Sequence, residues 1–139
     1  MAFQRVVQDN TGDINGLAGQ SVEQFICIET VNEASGHRSP SLFLLKMVES
    51  SHWHRFFLEA GICFWDLYEK RPEDDQADPE DYPWYDLAKR EKLNDTIIRS
   101  INITPFRQGV AVTFSFSDDR RLSITTATME DDICLSIDE

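Results

Sequence analysis

The clearest pattern lies in the last third of the chain. Val110, Val112, Phe114 and Phe116 alternate with Ala111, Thr113, Ser115 and Ser117. Leu122 and Ile124 alternate with Ser123 and Thr125, and Ile133, Leu135 and Ile137 alternate with Cys134 and Ser136. Alternation puts every second side chain on one face of a strand, so each run reads as a strand with one buried side. Asp118-Asp119 and Glu130-Asp131-Asp132 supply turn chemistry between them. With residues 96–103 in front, the pattern predicts a four-strand antiparallel meander.

Upstream the periodicity is less clean. Residues 25–31 and 42–48 are apolar on both faces, which predicts two strands placed centrally in a sheet. Between them, residues 32–40 carry Asn32, Ser35, Gly36, Ser39 and Pro40, the chemistry of a turn. Residues 1–21 are polar and glycine-containing, and read as a loose arm or a short edge strand.

Residues 50–69 fit two readings. In the preferred one, Ser51 caps a short helix that Gly61 ends, and a strand follows over residues 62–68. In the other, residues 55–58 and 62–68 form a hairpin around Glu59-Ala60-Gly61. Short apolar runs do not separate a strand from a buried helix. After an acidic loop over residues 71–82, Pro83 suits the first turn of a helix, with Asp81 or Tyr82 near its cap. Trp84, Leu87, Ala88 and Glu91 follow helical spacing, and Lys89, Arg90 and Lys92 suit its C-terminal end. On this reading Trp84 anchors the helix to the core.

The expected fold class is therefore α+β. Residues 1–139 make a single domain, a mostly antiparallel sheet of about six strands with the C-terminal four-strand meander. One or two helices pack on one face. Length and composition agree, because 139 residues at 41% hydrophobic and 27% charged suit one globular domain.

Charge changes the picture. The chain carries 25 acids against 13 Lys and Arg, a formal charge of −12. Residues 73–86 hold seven acids and no base, and the last ten residues hold five acids and no base. The remainder is balanced, so the net charge belongs to two local segments. Phosphate contacts need clustered bases, which argues against nucleic acid. The same deficit argues against an anionic membrane surface. A basic protein partner fits, because local charge of one sign speeds encounter with the opposite sign.

Cys27, Cys63 and Cys134 form no Cys-x-x-Cys and each sits in an apolar run, so all three read as small, buried, reduced core residues. No stretch has the length and apolarity of a signal peptide or a membrane span, so a cytoplasmic location is expected.

Candidate chemistry is sparse. His52-Trp53-His54 on a strand would turn two imidazoles to one face, and Glu49 or Glu59 would supply a carboxylate for zinc or iron. On a helix the two rings point about 200° apart and do not chelate together. Residues 73–81 are acidic enough to suggest calcium, yet Pro79 sits where an EF-hand loop must stay supple and the loop's glycine is missing. No nucleophile elbow or glycine-rich phosphate loop occurs. The chain is therefore expected not to be an enzyme and to hold no metal or cofactor. A small metal-dependent enzyme using His52 and His54 is one alternative, and an adaptor or accessory module another.

The leading candidate is a partner-binding patch of Glu73, Asp74, Asp75, Asp78, Glu80, Asp81, Tyr82 and Tyr85. Aromatics beside charge have the composition of an interface hot spot with an electrostatic rim. Three segments prompt a family comparison: RFFLEAGICFWDLYE (residues 55–69), DPEDYPWYDL (residues 78–87) and VTFSFSDDRRLSITTATMEDDICLSI (residues 112–137). In general character the chain resembles bacterial immunity proteins, which neutralise a toxin domain made by the same cell. The resemblance implies a cytoplasmic inhibitor that occludes its cognate toxin's active site by shape and charge. If that toxin is a nuclease, an acidic loop would stand in for phosphate. No family residue carries over, and the resemblance leaves the oligomeric state open.

Overall fold

A computed structural model describes residues 3–31, 34–36, 38–72, 83–127 and 132–138. The strands are β1 (Phe3–Asp9), β2 (Gly12–Asp13), β3 (Val22–Val31), β4 (Arg38–Met47), β5 (Trp53–Glu59), β6 (Ile62–Tyr68), β7 (Trp84–Asp86), β8 (Ile98–Phe106), β9 (Gly109–Phe116), β10 (Arg121–Ala127) and β11 (Asp132–Asp138). The helix α1 spans only Leu87–Arg90. All pairings are antiparallel, in two sheets ordered β1-β6-β5-β4-β3-β7 and β11-β10-β9-β8-β2. The antiparallel sheet and the C-terminal meander β8-β9-β10-β11 match the sequence pattern. The expectation of about six strands and packed helices does not. There are two sheets, and the helical content among the described residues is one α-turn and a short 3-10 turn, Asn15–Leu17.

The core lies between the sheets. Phe25 and Cys27 of β3, Phe43, Leu45 and Met47 of β4, Phe56 and Leu58 of β5, and Cys63 and Trp65 of β6 face Val110, Val112, Phe114 and Phe116 of β9 and Leu122 and Ile124 of β10. The Phe114 ring lies 5.2 Å from that of Phe25 and 5.9 Å from that of Phe56, and Phe56 stacks on Trp65 at 4.3 Å. Each such buried side chain contributes roughly 1.5–3 kcal/mol. At one corner the sheets join, through a bridge between Ser21 and Ile97 and a bond from Val22 N to the Thr96 carbonyl at 3.0 Å.

β3 and β4 read apolar on both faces because the first sheet has a second apolar layer. Ile26, Ile28, Leu44 and Trp53 cluster on the side away from the core, with Leu42 and Tyr68 against them. Two-sided burial also explains the ambiguity at residues 50–69, where no polar face marks the period. The segment is the β5–β6 hairpin, not a helix and a strand. Its register runs from Trp53↔Tyr68 to Glu59↔Ile62. Ala60 (φ 53°) and Gly61 (φ 75°) form a two-residue loop with both φ positive, the geometry that matches strand twist. Arg107 (φ 45°) and Gln108 (φ 70°) do the same between β8 and β9 without a glycine.

The helix expected after Pro83 is displaced and shortened. Trp84, Tyr85 and Asp86 pair with Ile28, Cys27 and Ile26 as an edge strand. Asp86, not Asp81 or Tyr82, is the N-cap, accepting from Ala88 N at 3.0 Å. Leu87, Ala88 and Leu93 are buried, whereas Trp84 is 45% exposed and is not the anchor. Arg120 donates to the Glu91 and Lys92 carbonyls at 2.6 and 2.8 Å, tying the end of α1 to the β9–β10 turn. Residues 1–21 are not a loose arm over their described part: β1 lies along β6 and β2 along β8, and Ile14 and Leu17 are buried. Cys27 and Cys63 are buried as expected, but Cys134 is exposed on β11.

Candidate functional site

Glu73, Asp74, Asp75, Asp78, Glu80, Asp81 and Tyr82 lie outside the described residues. Tyr85 is described, and it is not the exposed aromatic that the sequence suggested. Pairing of β7 with β3 turns Tyr85 to the side of Cys27 and Trp84 to the side of Ile28. Tyr85 is half-buried and hydrogen-bonded with Cys27, and the Arg90 guanidinium sits 4.0 Å from its ring centre. Burial pushes the Cys27 thiol up to about 12 and raises the Tyr85 phenol as well, so neither ionises near neutrality. Trp84 takes the exposed role instead. The missed signal is strand parity: in a strand, adjacent residues face opposite ways.

His54 and His52 lie in different surroundings. His54 is buried, and its Nδ1 accepts from Trp65 Nε1 at 2.8 Å. Burial first, then the neighbouring His52, lowers its pKa to about 4, so the ring is neutral at ordinary pH. His52 is exposed before β5, with Nδ1 3.4 Å from Ser50 Oγ. Among the described residues no group of three or more His, Cys, Asp or Glu is placed to hold a metal ion. Glu49 accepts from Ser21 N at 2.7 Å, which lowers its pKa and gives it a structural role at the sheet corner.

A feature that was not singled out from the sequence lies on the outer face of the first sheet. Asp66 is buried in β6, its Oδ1 accepts from Arg5 Nε, and Arg55 Nη1 lies 3.9 Å from Oδ2. Phe57 and Phe64 stack at 4.9 Å, with Arg55 over the first ring and Arg5 over the second. A lone acid inside the apolar run ICFWDLY was the available signal, since a buried carboxylate needs a basic partner. Along β5 from Arg55 this group gives way to Trp53, over whose ring Arg71 sits at 5.3 Å.

A cleft of about 300 Å³ opens where β4 and β5 part. Their pairing stops at Phe43↔Phe56, beyond which Pro40 has no N–H to offer a neighbour. The cleft is lined by Ser39, Pro40 and Ser41 on one side and Phe57, Leu58 and Glu59 on the other, with Thr30 and with Ile133 of β11. Among its described lining residues Glu59 is the one ionisable side chain. No helix among the described residues is long and apolar enough to cross a membrane. No protein-family model, curated protein or solved structure matches the chain.

Proposed function

We propose that this chain is an acidic protein-binding inhibitor of the immunity type, acting in the cytoplasm. It neutralises a cognate toxin by binding and covering a basic active site. The observation that carries the reading is Trp84. It is 45% exposed on an edge strand, and it stands three residues after the last of six acids in residues 73–81. A large exposed ring that closely follows an acidic run in the sequence suits an anchor with an electrostatic rim. The buried reactive groups support the same reading, because His54, Cys27 and Cys63 are held neutral within the packing.

The test is capture of partners by the tagged chain from its host's lysate at low and high salt, read by mass spectrometry. One dominant basic protein, lost as salt rises, is the expected result. The variant with Asp74, Asp75, Asp78 and Asp81 all changed to Lys should lose it, and Trp84→Ala should weaken it about tenfold or more. Unchanged capture by the four-fold variant, or no basic protein at either salt, overturns the reading.

A further inference from the structure

Four strands end the two sheets: β1 and β7 in the first, β2 and β11 in the second. An open edge offers unpaired backbone groups to any extended chain, and folded proteins usually blunt it by shortness, a bulge, proline, lysine or a cover. Three of the four are blunted in this way. β2 has two residues, β7 has three, and β1 is broken by a bulge between Arg5 and Val7. β11 is not. It runs seven residues, DICLSID, without proline or lysine, and its register against β10 is unbroken from Ala127↔Asp132 to Arg121↔Asp138. Ile133, Leu135 and Ile137 pack on the core, while Cys134 and Ser136 are exposed, small and unobstructive. Among the described residues, nothing hydrogen-bonds along its outer edge, although β4 packs close to the strand and shares the cleft at Ile133.

Charge selects the occupant. β11 begins and ends on aspartate, and the sequence adds acids just before and after it with no base in the last ten residues. Antiparallel pairing with a second copy of β11 would set these acidic ends against each other, and like charges placed opposite are unfavourable. A strand with basic ends meets no such penalty. The cleft beside Ile133 gives room for a side chain of the incoming segment. We infer that β11 is the docking edge for an extended, basic segment of the partner protein, which adds as a sixth strand to the second sheet. This rests on the proposed binding of a basic partner and names where part of that contact is made.

The test uses the intact chain and two synthetic peptides, KKTVTVTKK and its acidic twin EETVTVTEE. Backbone amide exchange and chemical shifts report where each binds. At low salt the lysine peptide should bind at least about tenfold more tightly than its twin. Its binding should slow exchange selectively in β11. The double variant Asp132→Lys, Asp138→Lys should reverse the preference. Failure of the lysine peptide to bind at millimolar concentration overturns the inference. So does binding that leaves β11 amides unchanged, or a dimer of the chain alone that protects β11. Because the peptides stand in for the partner, the two proposals fail separately. Peptide binding at β11 without a basic protein in the lysate removes only the inhibitor reading. Capture of a basic protein without peptide binding at β11 removes only the docking edge.

Discussion

The two sheets share one core but differ on their outer faces. In the second sheet the outward positions of β9 and β10 are Thr113, Ser115, Ser123 and Thr125, and the strand period is plain. In the first sheet the outward positions hold Ile26, Ile28, Leu44 and Trp53, and further along, the Arg5–Asp66–Arg55 group. A sheet with a polar outer face needs only its partner sheet to be stable. A sheet with an apolar outer face needs something on each side. The comparison makes the second sheet the simpler scaffold and the first the more elaborate one, with both sides carrying stability.

Removing ring packing from the shared core should have the largest effect. Phe114→Ala opens a space among Phe25, Phe56, Trp65 and Phe116, and should cost about 3–5 kcal/mol in urea unfolding. Leu44→Ala on the outer face should cost about 2–4 kcal/mol, nearly as much, because Leu44 is fully buried there. Thr113→Ala on the other sheet should stay within about 0.5 kcal/mol. Equal small losses for Leu44→Ala and Thr113→Ala would erase the difference between the faces.

His54 adds a pH dependence. The unfolded chain protonates this ring near its ordinary value of 6.5, whereas the folded protein resists until about 4. Protons therefore favour the unfolded state between these values. Stability should fall as pH drops below about 6.5, level off near 4, and lose up to about 3 kcal/mol in total. The clean part of the window is pH 6.5 to 5, above most carboxylate titration. His54→Gln keeps an acceptor for Trp65 Nε1 and should flatten that slope. An identical slope in the variant would assign it to other groups.

The smallest effect concerns the two hairpin loops. Gln108 holds a positive φ that glycine takes without strain, as Gly61 does in the neighbouring hairpin. Gln108→Gly should stabilise the fold by up to about 1 kcal/mol, read as a higher unfolding midpoint.

These regions also show which parts of the fold were legible in the sequence. β8 to β11 could be read because one buried face leaves a period of two in the residues. β5 and β6 could not be separated from a helix, because WHRFFLE and ICFWDLY are apolar on alternate and adjacent positions alike. Trp84, Leu87 and Ala88 have the spacing of a helix that begins at Pro83, whereas the backbone of residues 84–86 is taken by pairing with β3. That one displacement exchanged the roles of Trp84 and Tyr85 in the candidate site. Asp66 and Arg5 are 61 residues apart, and only the β1–β6 pairing brings them together.

The most direct test of the account is amide hydrogen exchange on the chain, alone and with its captured basic partner. The account predicts slowed exchange over residues 73–86 and along β11, with the β8–β9 hairpin unchanged. Protection confined to β1 and β6, with none at residues 73–86, would contradict it.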